Sequence, residues 1–236
     1  MHTAQPIESH IPATQPESYP EAASSMAALC FRVVALALAA GFWCYYVGRK
    51  PFDATAGWRY LTNWGLSLNM LAALWALAGT WIRPLSRANP LLPAALTLSS
   101  SVVILYWGLY LISPSLVNAN GGLPWYSEFY MHLGTTLFVY TEAWWLNAAP
   151  KRRTIALAPV ALLGAGYILW VELVVSVVND SPCGLHQPVC GYPYPFLNDF
   201  GASTRYLFFG LAVLGFVSLS TVILTLWQRI ARTAEP

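Results

Sequence analysis

Charge is what this sequence most lacks. Of its 236 residues, 9% are Asp, Glu, Lys or Arg, against about 25% in an ordinary soluble domain. So few charges cannot cover the surface of a soluble protein of this length. The net charge is only +2, and no Lys/Arg block is interleaved with aromatics, so no nucleic-acid partner is implied. Familiar catalytic patterns are missing too. There is no G-x-S-x-G elbow, no H-E-x-x-H, no Walker loop and no G-x-G-x-x-G. No tight Asp pair of the kind that holds magnesium and a diphosphate occurs. Neither a cofactor nor a resident metal is expected.

What is present is apolar and aromatic. Hydrophobic residues make up 57% of the chain, with 11 Trp and 13 Tyr, residues that favour the bilayer interface. A membrane helix needs about 20 mostly apolar residues. Six stretches qualify: 26–47, 61–82, 91–112, 126–147, 154–178 and 204–227. The fourth is the least apolar. The sequence therefore predicts an all-α, polytopic transmembrane bundle of about six spans over 26–228. Residues 1–25, rich in Pro, Glu, Ser and Thr, read as a disordered tail, and 229–236 as a short C-terminal one. The start of the chain has neither the basic end nor the apolar core of a signal peptide, so the first span is expected to act as a signal-anchor. No internal repeat suggests an inverted-repeat transporter.

Cation placement gives the orientation. Arg83, Arg87, Lys151, Arg152, Arg153, Arg229 and Arg232 fall on the N-terminal side, with Arg32 near it. Arg49, Lys50, Arg59 and Arg205 fall on the other, and loops 113–124 and 179–203 hold no Lys or Arg. Both termini are expected in the cytoplasm. The chain reads as an integral protein of the endoplasmic reticulum, another endomembrane or the plasma membrane, with membrane lipids as partners. Cys183 and Cys190 then lie in an exoplasmic loop, where disulfides persist. His186 sits between them, but a zinc site would lack its fourth ligand, so a disulfide is favoured. Cys30 and Cys44 read as small apolar residues. Asn179-Asp180-Ser181 is a formal but weak glycan acceptor, followed by Pro182.

Any chemistry must come from isolated polar groups inside the spans. These are His132, Glu142 and Glu172, since intramembrane ionisable groups are costly and point to function. A hydrogen-bonded structural histidine is the competing reading. Arg32 is expected to snorkel to the cytoplasmic surface. Helical rise of 1.5 Å per residue puts His132 roughly 9 Å inside its span. Thr62, His132 and Glu172 can then share one layer, with Glu142 about 15 Å deeper. Thr62 opens the second span. As an N-cap its hydroxyl would be worth about 1 kcal/mol; as a nucleophile it would need a base within hydrogen-bond reach. Thr135 and Thr136 lie at i+3 and i+4 from His132, on one helical face. Either could orient the imidazole, or both could serve packing.

Four motifs in order, W-R-Y-L-T (58–62), M-H (131–132) followed by Thr135-Thr136, G-Y-I-L-W-V (166–171) and Y-P-F-L (194–197), resemble the androgen-induced membrane protein family. That family includes the androgen-dependent regulator of tissue factor pathway inhibitor. The likeness covers most of residues 40–210. Arg59 stands where the family has Lys, and Leu133-Gly134 shifts the register after His132. The resemblance implies a hydrolase of lipid esters, namely fatty acid esters of hydroxy fatty acids, with Thr62 as nucleophile and His132 as base. Asn63, Asn69 or Trp64 are candidate oxyanion donors, and Glu142 or Glu172 candidates to orient His132. The alternatives are a cyclase or isomerase using Glu142 and Glu172, and a non-enzymatic lipid-binding protein.

Overall fold

The computed structural model describes residues 25–50, 53, 56–82, 89–118, 123–150, 153–186 and 189–233. The expected tail at 1–24 and the orienting cations Arg83, Arg87, Lys151 and Arg152 lie outside the described residues. Helix α1 is Met26–Tyr46, and its first turn is capped by Ser25, which accepts from the N–H of Ala28 at 3.1 Å. A 3-10 turn, Gly57–Arg59, leads into α2, Leu61–Ala78. Helix α3 is Leu92–Ile112, with a proline in its first turn, where the missing N–H costs nothing. Helix α4 runs over 125–146 as Trp125–Phe129, a π-helical turn Tyr130–Gly134, and Thr135–Leu146. Helix α5 is built likewise from Arg153–Trp170, a π-turn Val171–Val175 and Ser176–Val178. A short helix α6, Pro195–Asp199, precedes the long α7, Ala202–Thr233. No strand occurs among the described residues, apart from an isolated bridge between Cys183 and Cys190.

Each expected span contains one long helix. The main differences are at two ends: α2 stops at Ala78, and α7 continues through residues 229–233, expected as tail. By length and composition, Met26–Tyr46, Leu92–Ile112, Ala156–Val178 and Ala202–Ala231 can cross a membrane. Helices α2 and α4 read as less apolar because they carry the polar interior: Asn63, Asn69, His132, Thr135, Thr136 and Glu142 are all buried. The outward residues are apolar instead, among them Val33 and Val34 on α1, Leu162 and Leu173 on α5, and Leu207 and Leu214 on α7. A bundle that faces hydrocarbon needs this arrangement.

Helix α3 is the hub, packing against α2, α4, α5 and α7. Its buried run Thr97, Ser99, Ser100 and Ser101 is small enough for close helix approach. Asn69 and Ser99 exchange hydrogen bonds at 2.9 and 3.1 Å, and Ser100 meets Tyr140 Oη at 2.9 Å. Near the start of α1, Arg32 does not snorkel. It is 1% exposed and reaches α4, where Nε and Nη2 grip the Glu142 carboxylate at 2.8 to 3.2 Å. Asn147 Nδ2 donates to the same carboxylate at 3.3 Å. The side chain meets a buried partner before it can meet water, which changes the expected outcome.

Candidate active site

The turn before α2 is held from several directions. The carbonyl of Gly57 accepts from Asn63 Nδ2 at 2.8 Å, and that of Trp58 from the indole N–H groups of Trp64 and Trp170 at 2.9 and 3.2 Å. The carbonyl of Arg59 accepts from Tyr167 Oη at 2.9 Å. The turn passes so close to the end of α1 that a Cβ on Gly57 would lie 2.7 Å from the carbonyl of Tyr46. Only glycine fits there without movement. These contacts fix where Thr62 stands.

Thr62 is not the cap of α2. The helix begins at Leu61, its N-cap residue is Tyr60, and no side chain caps it. The orphan N–H of Leu61 is taken by Tyr194 Oη at 3.2 Å, and that of Asn63 by the Tyr60 carbonyl at 3.0 Å. Among the described residues, neither the N–H nor the hydroxyl of Thr62 makes a hydrogen bond. The hydroxyl is therefore not held by capping.

His132 lies inside the π-turn of α4 and is buried. Its Nδ1 is 3.1 Å from the carbonyl of Glu128 and 3.3 Å from the Glu128 carboxylate. A carbonyl oxygen can only accept, so Nδ1 is the donor in this contact and Nε2 is the nitrogen left for other partners. The ring stacks on Tyr106, and the His132 carbonyl accepts from Trp107 Nε1 at 3.2 Å. Glu128 is itself anchored. It accepts from Tyr106 Oη, from Asn118 Nδ2 at 3.2 Å and from the N–H of Leu123 at 2.8 Å. Sequence reasoning passed over Glu128; its i, i+4 spacing to His132 was the available signal.

The other candidate residues are engaged elsewhere. Glu142 is bound to Arg32. Glu172 accepts from Tyr192 Oη at 3.2 Å and lies 3.6 Å from Arg205. Neither touches His132; the carboxylate that faces it is that of Glu128. The π-turn changes the register after His132: Thr135 lines a separate small cavity with Arg32 and Glu142, and the Thr136 hydroxyl is buried without a partner among the described residues. Neither threonine bonds the imidazole. The three side chains considered as oxyanion donors also have partners. Asn63 Nδ2 donates to Gly57, Asn69 Nδ2 to Ser99 and Trp64 Nε1 to Trp58. Cys183 and Cys190 form a disulfide, and their loop is braced by Asp199, which accepts from the N–H groups of Leu185 and His186 at 3.0 and 2.8 Å. Among the described residues no three His, Cys, Asp or Glu come together as a metal cluster would require.

Thr62 and His132 line one cavity of about 340 Å³, together with Arg59, Asn63, Tyr106 and Asn118. No hydrogen bond joins the two side chains. Thr62 also lines a second, apolar cavity of about 70 Å³, walled by residues such as Leu61, Val102, Phe196, Phe209 and Phe216. Thr62, Tyr106, Val117 and Tyr194 belong to both walls. The threonine thus stands at the junction of a polar and an apolar space.

Helices with lipid-facing apolar surfaces, around a polar cavity at one end of the bundle, define an integral membrane protein. The chain belongs to the FAR-17a/AIG1-like protein family, whose sequence profile matches residues 27–227. No curated protein and no solved structure matches it.

Proposed function

We propose that the chain is an intramembrane lipid ester hydrolase, with Thr62 as nucleophile, His132 as base and Glu128 as the group that orients His132. One observation carries this reading: Thr62, relieved of capping, lines the same cavity as a histidine whose Nε2 is left for other partners. A threonine hydroxyl is a poor nucleophile until a base takes its proton. Nε2 of His132 accepts that proton as Oγ1 attacks the ester carbonyl. The carbonyl electrons move onto oxygen, and the N–H of Thr62, in the first turn of α2, supports the oxyanion there. Collapse expels the alcohol, which leaves with the proton from His132. A water then gives its proton to Nε2 and cleaves the acyl-threonine, releasing the acid and restoring Thr62. The Glu128 carboxylate stays ionised and supports the imidazolium formed in each half.

The apolar cavity suits the acyl chain and the polar cavity suits the alcohol side. Esters of fatty acids with hydroxy fatty acids, the class the resemblance implies, have this division. The reading includes six spans with both termini cytoplasmic, in an endomembrane such as the endoplasmic reticulum or in the plasma membrane, and a site near the exoplasmic leaflet. The substrate then enters from the bilayer.

The test is labelling by a fluorophosphonate probe in membranes expressing wild type, Thr62→Ala and His132→Ala at equal levels. Labelling is expected only in wild type. Undiminished labelling of both variants moves the chemistry away from this cavity.

A further inference from the structure

Arg59 lines the larger cavity, three positions before Thr62 in the chain. Its guanidinium forms hydrogen bonds through Nη1 alone among the described residues. Nη1 donates to Asn179 Oδ1 at 3.1 Å and to the Ser181 carbonyl at 3.3 Å, and Cζ lies 4.7 Å from the centre of the Tyr60 ring. These partners are neutral. Arg32 and Arg205 each have a carboxylate within 4 Å, but no ion pair is formed by Arg59 among the described residues.

The unused part of the group has a definite shape. Nε is sealed from solvent and has no hydrogen-bond partner among the described residues. Nη2 makes no hydrogen bond among the described residues either. Nε and Nη2 form one edge of the planar guanidinium. The parallel N–H bonds of that edge match two oxygens of a carboxylate or a phosphate. An orphaned buried donor is costly, and an anion on this edge would satisfy it and balance the charge. Arg59 lines the polar cavity and not the apolar one, so the anion would sit on the alcohol side of the ester.

We propose that the Nε–Nη2 edge of Arg59 is an anion-binding subsite of this cavity, which takes a carboxylate or phosphate carried by the lipid while the acyl chain fills the apolar cavity. The Asn179–Ser181 segment holds Nη1 and leaves the Nε–Nη2 edge unpaired among the described residues. This subsite rests on the hydrolase reading for its place in turnover, but not for its affinity for anions.

The test uses purified full-length protein and two substrate pairs. One pair is a fatty acid ester of a hydroxy fatty acid and its neutral methyl ester. The other is lysophosphatidate and the matching monoacylglycerol. For wild type, the charged member of one pair is expected to have the lower KM. Arg59→Gln should raise that KM about 10- to 100-fold, the strength of a charge-assisted hydrogen bond, with a much smaller effect on its neutral partner. Arg59→Lys, which keeps the charge but loses the fork, should fall between. The pair that responds tells carboxylate from phosphate. Equal losses on charged and neutral esters would make Arg59 a brace for the 179–181 segment and overturn the subsite. If wild type hydrolyses none of the four, the hydrolase reading fails separately. The subsite is then read by tryptophan fluorescence, titrating palmitate and lysophosphatidate against hexadecanol in wild type and Arg59→Gln. A preference for an anion that is lost in the variant supports the subsite; equal binding of all three ligands by wild type overturns it.

Discussion

The imidazole of His132 lies flat against the phenol ring of Tyr106, with ring centres 3.4 Å apart and planes 5° apart. The same tyrosine donates its hydroxyl to Glu128, the residue that faces His132 Nδ1. One side chain of the hub helix thus supports the imidazole and steadies the carboxylate that faces it. Tyr106→Phe keeps the ring contact and removes the O–H. Activity is expected to fall about 10-fold, the scale of a hydrogen bond to a charged group. Tyr106→Leu, which removes both contacts, should fall further. Equal kcat for the Phe variant and wild type would separate Tyr106 from the chemistry.

Glu128→Gln tests the orienting role directly. The amide can present its N–H₂ to Nδ1 and favour the wrong tautomer, and it no longer balances an imidazolium. In serine hydrolases the comparable change costs up to about 10⁴-fold in kcat. A fall of about 10²- to 10⁴-fold is expected here, with KM changed much less and the pH profile of kcat altered. Glu172→Gln should have a far smaller effect. A reversed order for these two variants would return the orienting role to Glu172.

Arg32→Ala leaves Glu142 buried beside an empty position. Breaking a buried pair in this way typically costs about 3–5 kcal/mol, so the thermal midpoint in detergent should drop sharply. The double variant Arg32→Met, Glu142→Leu removes both charges and should recover most of the loss. No recovery would mean that Thr80, Asn147 and the Leu146 carbonyl, the pair's other neighbours, carry the stability instead.

Gly57→Ala places a methyl group 2.7 Å from the Tyr46 carbonyl. The turn that carries Thr62 must then shift. Overpacking of this kind costs about 1–3 kcal/mol, and probe labelling of Thr62 should weaken with it. Tyr194→Phe removes the acceptor for the Leu61 N–H and should cost about 1 kcal/mol. A Gly57→Ala protein with normal stability and labelling would show that the turn is looser than its contacts imply.

The long helices were legible because lipid solvation demands apolar stretches of a fixed length, and among the described residues four are long and apolar enough to cross a membrane. Thr62 and His132 were singled out through motif order and expected depth, and the fold lines one cavity with both. Glu128 was not, because a carboxylate in the first turn of the least apolar helix reads as an interfacial charge. Its placement beside His132 depends on Tyr106, Asn118 and the Leu123 N–H, which only folding brings together. The threonines at 135 and 136 were misplaced because regular helical spacing was assumed across a segment that turns as a π-helix. Arg32 was read as a surface residue because its carboxylate lies 110 positions away, and no local pattern reports such a distance. The disulfide was readable from the short spacing of Cys183 and Cys190.

That distance between Arg32 and Glu142 matters during synthesis. A ribosome working at about 5–20 residues per second delivers α1 to the membrane several seconds before the carboxylate 110 residues later. In that interval the guanidinium has to be hosted by the translocon or by headgroups, since a charge taken out of water without a partner is costly. A nascent chain that ends before α4 never receives this counter-charge, and its Arg32 has to find another anion or stay at the membrane surface.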